Sequence, residues 1–156
     1  MTTGVNSAFL DTNVLVYANV MESPFHQSAI KTIQFYYGIG TELWISRQIL
    51  REYIAVLTRP QIFAKPVSVL VVADRIRFFQ SHFQVAEENP QITEELLILV
   101  ERFNVGGNQV HDANIIATMR VYGINNLITH NASDFKRFSD IVNILPIDNK
   151  ATLQII

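Results

Sequence analysis

The chain reads as α/β, with a mostly parallel five-stranded sheet carrying helices on both faces. Three observations support that reading. Short apolar runs alternate with stretches of helical periodicity, the order expected of successive β–α–β units joined by right-handed crossovers. Hydrophobic residues make up 49% of the sequence and charged ones 17%, a balance that favours strands buried on both faces. The first apolar run, Ala8-Phe9-Leu10, stops abruptly at Asp11. A carboxylate therefore falls at the carboxyl end of the first strand, the edge at which open α/β sheets bind ligands.

At 156 residues the chain is sized for one domain, 1–156, and for burying about two thirds of its unfolded surface. No apolar run approaches the roughly 20 residues of a membrane span, and the N-terminus lacks a basic, apolar, cleavable pattern. The absence of cysteine excludes disulfides and thiolate metal sites and fits a reducing cytoplasm, the expected location.

Taken in order, Thr12 and Asn13 can cap a short helix over Val14 to Ala18. His26, Ile30, Ile33 and Tyr37 recur at helical spacing and are stopped by Gly38 and Gly40. Glu42 to Ser46 is the second strand. Ser46 caps a helix with the stripe Leu50, Tyr53, Ile54 and Leu57, which ends at Arg59-Pro60. Glu52 borders that stripe beside Ile49 and Val56.

Pro66 opens a helix through Phe79, and His82 to Ala86 is a weak third strand. Thr93 caps a helix over Glu94 to Phe103. The glycines of Asn104-Val-Gly-Gly-Asn108 match neither phosphate-loop signature, so they denote a flexible loop. Val110 to Tyr122 is a helix apolar almost all round, closed by Gly123, and hence a buried one. Leu127 to His130 is the fourth strand, Asn131 to Phe138 a loop with a helical turn, and Val142 to Ile147 the fifth strand. The tail Ala151 to Ile156 adds an edge strand or packs on a partner. No internal repeat, low-complexity segment or linker interrupts the chain.

Within this plan four carboxylates converge. Asp11 ends the first strand and Glu52 lies in the early turns after the second. Asp112 shares a helix face with Ile115, Ile116 and Met119, a costly place for a carboxylate unless something compensates it. From Asp112 the helix runs away about 16 Å at 1.5 Å per residue, and the fourth strand returns most of that distance, bringing Asp134 back beside Asp112. Clustered carboxylates raise one another's pKa and call for a cation. Oxygen-only ligands suit a hard divalent ion, Mg2+ or Mn2+, and phosphodiester hydrolysis is the chemistry such a site serves best. The charge balance agrees weakly: setting the four acids aside leaves 12 Lys and Arg against 10 Asp and Glu, and eight of the cations are Arg.

Four segments carry a resemblance: Phe9-Leu-Asp11-Thr-Asn13, Ser46-Arg-Gln-Ile-Leu-Arg-Glu52-Tyr53, His111-Asp112-Ala-Asn-Ile-Ile-Ala117 and Thr129-His-Asn131-Ala-Ser-Asp134-Phe135. In order, they resemble the motifs of the PIN-domain family, and most of all its VapC-like toxin ribonucleases. The resemblance covers residues 7 to 146. It implies an α/β/α sandwich, metal-dependent cleavage of single-stranded RNA, a cognate antitoxin and a homodimer. Asp11, Glu52, Asp112 and Asp134 match the family's acidic quartet, and Asn13, Thr129 and Asn131 its polar supporting positions. Asn131 stands where many members carry another Asp, and Asn114 where an apolar residue is common.

The bland alternatives are definite. Asp11, Asp112 and Asp134 are also ordinary helix caps, Glu52 a surface partner for Arg51 or Arg59, and Asn13, Thr129 and Asn131 turn residues. His111 and His130 are expected to be satisfied or solvent-facing, and Tyr36, Tyr37, Phe78 and Phe79 to be core. Two other function classes compete with a ribonuclease. A phosphotransferase with a nucleophilic aspartate at strand one needs a second Asp two residues on, where this chain has Asn13. A catalytically silent PIN-like RNA-binding or scaffolding module is the remaining alternative, and the intact acidic quartet argues against it.

Overall fold

The structure is a computed structural model and describes residues 6–62 and 64–147. Five strands, β1 (Ser7–Leu10), β2 (Glu42–Ser46), β3 (Gln84–Ala86), β4 (Asn126–Thr129) and β5 (Asn143–Pro146), form one sheet in the order β3-β2-β1-β4-β5. Every pairing is parallel. The chain works outward from β1 to β3 on one side, then returns to lay β4 and β5 on the other. The order of strands reverses beside β1, where ligand crevices open in such sheets. Phe9, Leu10, Ile45, Leu127 and Ile128 are buried at the centre, which accounts for the unbroken apolar runs.

The helices are α1 (Thr12–Asn19), α2 (His26–Gly38), α3 (Arg47–Leu57), α4 (Val69–His82), α5 (Pro90–Phe103) and α6 (Gln109–Tyr122), with a 3-10 helix over Ala132–Phe138. They flank the sheet as an α/β/α arrangement. Among the described residues no helix is long and apolar enough to cross a membrane.

Several boundaries differ from the sequence reading, those of the helices through capping. Helix α1 begins at Thr12 because the Asp11 side chain accepts from the Thr12 amide. Helix α4 begins at Val69, where Ser68 caps it, rather than at Pro66. Asn89, not Thr93, caps α5, with Pro90 in the first turn. Strand β4 sits one residue earlier than expected, and β5 is trimmed at both ends.

Three helix faces also differ. The buried residues of α2 are Ala29, Thr32 and Tyr36, while Tyr37 is 70% exposed. The Thr32 hydroxyl donates to the carbonyl of Ser28, one turn back, so this polar residue can enter the core. In α3 the inward stripe is Ile49, Leu50, Tyr53 and Leu57, with Ile54 turned outward. The apolar α4 buries only Val72 and Phe79, leaving Leu70, Val71 and Phe78 exposed. A groove of about 690 Å³ runs between α2 and α4 past Ile30, Ile33, Val71 and Phe78. The proposed edge strand in the tail lies outside the described residues.

Candidate active site

A cleft of about 520 Å³ opens at the carboxyl edge of β1 and β4, and Asp11, Glu52, Asp112 and Asp134 all line it. That volume is in the range of small-ligand sites. The parallel ladder carries Asp11 to its rim, since the Asp11 amide donates to the carbonyl of Ile128 at 3.0 Å.

Asp11 is only 6% exposed and accepts three hydrogen bonds. The Thr12 amide reaches Oδ1 at 2.8 Å. The Thr129 hydroxyl and the Asn13 amide group reach Oδ2 at 2.8 and 3.0 Å. Burial nonetheless pushes its pKa up to about 6, and the charges of Glu52 and Asp112 add to the rise against the lowering by Thr129 and Thr12. Asn13 Oδ1 accepts from the His130 amide at 2.9 Å, and Thr129 accepts from the Asn131 amide at 3.0 Å. Of the three residues expected to support the acids, Asn13 and Thr129 bond Asp11 directly, and Asn131 reaches Thr129 through its backbone amide. The Asn131 side chain lines the cleft without a hydrogen bond among the described residues.

Glu52 is not a solvated partner of Arg51 or Arg59. Its Oε2 accepts from the Thr12 hydroxyl at 2.9 Å and its Oε1 from the Gln48 amide at 2.8 Å, while Arg51 pairs with Glu88. Gln48 is itself buried, donates to the carbonyl of His111, and accepts from the Asn114 side chain at 2.8 Å. A relay from Asn114 through Gln48 to Glu52 thus ties α6 to α3. The sequence reading passed over Gln48, although its place one turn before Glu52 was a signal. The relay also explains the unexpected Asn114, since an apolar residue there would strand a buried amide.

Asp112 and Asp134 differ in kind. Neither carboxylate takes a hydrogen bond among the described residues. Asp112 is half-buried, and burial, with the charges of Asp134 and Glu52 added, pushes it up to about 6; His111 and Arg137 pull the other way. Asp134 lies inside the 3-10 helix and does not cap it; Asn131 holds that position.

His130 departs from expectation. It packs between Phe25, with ring centroids 4.0 Å apart, and Tyr17, edge-on at 5.2 Å. Its Nδ1 is buried without a hydrogen-bond partner among the described residues. His111 is solvent-facing, as expected. Tyr36 and Phe79 are core, but Tyr37 and Phe78 are exposed.

Among the described residues no three His, Asp or Glu side chains close tightly enough on one point to hold an ion directly. The donor set is all oxygen, with two carboxylates lacking partners. That suits a hard divalent cation keeping several waters and taking one or two protein carboxylates.

A family model for the PIN domain matches residues 8–153. The chain belongs to the PIN-domain family. Among curated PIN-domain relatives, Ribonuclease VapC48 of Mycobacterium tuberculosis is 27% identical over 137 residues, 86% of this chain and 94% of the relative. Ribonuclease VapC24 of the same organism is 24% identical over 130 residues, 83% and 89% of the two chains. Solved structures share the fold. The Mycobacterium tuberculosis toxin VapC20, described as cleaving the sarcin-ricin loop, superposes with a TM-score of 0.67 at 19% identity, covering 89% of this chain and 99% of its own. A toxin–antitoxin complex from Klebsiella pneumoniae gives 0.61 at 21% identity, covering 90% and 97%.

Proposed function

We propose that this PIN-domain protein is the endoribonuclease of a toxin–antitoxin pair and cleaves single-stranded RNA with Mg2+ or Mn2+. The observation that carries the reading is Asp112. A half-buried carboxylate with no hydrogen bond, sharing a cleft with three other acids, is a poor structural device and a good cation ligand. The relatives named ribonucleases, matched along nearly their whole length, support the same substrate class.

In this reading Asp11, Glu52, Asp112 and Asp134 would hold the ion, one or two of them directly and the others through its waters. Bound there, the ion supplies Lewis acidity, acidifying water and offsetting charge on the reacting phosphate. Thr129 and Asn13 fix the Asp11 carboxylate, and Thr12 with Gln48 fixes Glu52, so the acids do not reorganise when the ion and RNA arrive. Asn131 offers an uncommitted amide to a phosphate oxygen. Val16, Tyr17, Ala55 and Val56 form the apolar wall of the cleft, suited to a ribose or base face. Water adds at phosphorus and the bond to the 3′-oxygen breaks, leaving a 3′-hydroxyl and a 5′-phosphate.

The toxin–antitoxin complexes among the similar structures support an antitoxin partner. The exposed Leu70, Val71 and Phe78 give such a partner, or a second copy in a homodimer, apolar surface to cover. The cytoplasm, expected of a cysteine-free chain, completes the reading.

Incubating purified protein with single-stranded RNA in Mn2+ and in EDTA tests the proposal. We expect cleavage only with the metal, and products with a 5′-phosphate. A 2′,3′-cyclic phosphate would mean that the RNA's own 2′-hydroxyl attacks. RNA bound but never cut would favour the silent binding module.

A further inference from the structure

The eight arginines divide sharply. Arg47, Arg51, Arg77, Arg102 and Arg120 each lie between 2.5 and 2.9 Å from a carboxylate, and Arg75 donates to the Tyr53 hydroxyl at 3.4 Å. Arg59 and Arg137 have no ion pair or hydrogen bond from their guanidinium groups among the described residues. One of these two is in the lining of the acidic cleft, and the other stands one 3-10 turn past a carboxylate that lines it.

Arg59 lines the cleft. It stands two residues past the end of α3 at Leu57, in the segment that follows the cleft-lining Glu52, Ala55 and Val56. Gln61 pins the turn that carries it, donating to the carbonyls of Val56 and Arg59. Arg137 follows Asp134 by three residues in the 3-10 helix. With three residues per turn, positions i and i+3 eclipse, so Arg137 stands over the Asp134 face about 6 Å along the axis. Its charge reaches Asp112. Each free guanidinium therefore follows a cleft carboxylate along the chain, one on either wall.

We propose that Arg59 and Arg137 are phosphate contacts for the RNA strand, gripping backbone phosphates on the two sides of the one being cut. This rests on the ribonuclease reading and deepens it. Four carboxylates repel a polyanion at the reaction point, and flanking phosphates are where attraction can be supplied without competing for the ion. Guanidinium suits phosphate through its planar paired donors. Arg59 lies seven residues past Glu52 and Arg137 one 3-10 turn past Asp134, and a contact to a flanking phosphate contributes to binding in ground and transition states alike. Uniform binding of that kind appears in KM and not in kcat.

The test uses the full chain with a short fluorescein-labelled single-stranded RNA of mixed sequence. Cleavage kinetics are read in Mn2+ over a range of KCl, and binding is read by anisotropy in Ca2+. Arg59→Gln and Arg137→Gln should each raise KM and Kd roughly three- to tenfold with kcat within twofold, and should flatten the salt slope by about 0.7 per lost contact. Arg59→Lys and Arg137→Lys should restore most of the slope, and Arg77→Gln, whose charge is committed to Asp74, should change nothing. Wild-type cleavage with both Gln variants keeping its KM and slope would overturn the assignment while leaving the ribonuclease intact. An Arg77→Gln effect equal to theirs would also overturn it, reducing the contribution to general surface charge. Wild-type protein that neither binds nor cuts RNA would sink the ribonuclease reading and this inference with it.

Discussion

At Asp11 three donors converge on one carboxylate, whereas at Asp112 none does among the described residues. The contrast sets what substitution should do. Asp11→Asn turns an amide N–H toward the Thr129 hydroxyl and the Asn13 amide, so it disturbs packing as well as charge. Asp112→Asn removes charge alone and is the cleaner probe. We expect it to abolish turnover while circular dichroism stays that of the wild type; cleavage at near-wild-type rates would refute the site. Glu52→Gln should be nearly as damaging, and Asn131→Ala much milder. Gln48→Leu should lower kcat by about tenfold or more without touching the cleft, because Glu52 loses the donor that fixes its Oε1. An unchanged kcat in that variant would show that the relay does not position Glu52.

At the scale of elements, helix caps did most to separate expectation from outcome. Ser46 was legible as the cap of α3, and its hydroxyl accepts from the Ile49 amide at 3.4 Å. Ser46→Ala should cost about 1 kcal/mol, which for a chain of this size is roughly 2–4 °C in melting temperature. A fall well under one degree would mean that tertiary packing alone holds the start of α3. Strand positions were readable because parallel strands are apolar throughout, and Asp11 stood out because it ends the first apolar run. The inward face of α2 was not readable, since Thr32 satisfies itself on its own helix and so passes as core. Nor was the outward face of α4, where apolar residues occur on both sides and periodicity gives no direction. Gln48 and Asn114 acquire meaning only when α3 and α6 meet.

For the whole molecule, Asp11 and Asp112 make metal-free stability depend on pH. Both have folded pKa values near 6, raised above the usual 3.8. Between those values the native state holds more protons than the unfolded chain, so stability falls as pH rises from about 4 to about 6, and the penalty is complete above that. In EDTA the wild type should therefore melt higher near pH 5 than at pH 7, as far as these groups decide. Asp112→Asn, relieved of one charge, should melt at least as high as wild type at pH 7, with the gap closing toward pH 4. Matching wild-type and variant profiles across that range would mean that Asp112 ionises normally.

On the proposed reading a divalent ion would reverse the penalty, binding the native cleft, where the acids are gathered, and the unfolded chain only weakly. At a hundredfold excess over Kd the stabilisation is about 2.7 kcal/mol, equivalent to roughly 5–10 °C. Thermal scans of wild type and Asp112→Asn at pH 7, each in EDTA and in excess Mn2+, test most directly whether the acidic cleft is a metal site. The account predicts a rise of that size for the wild type, largely lost in the variant. Equal shifts in the two proteins, or none in either, would contradict it.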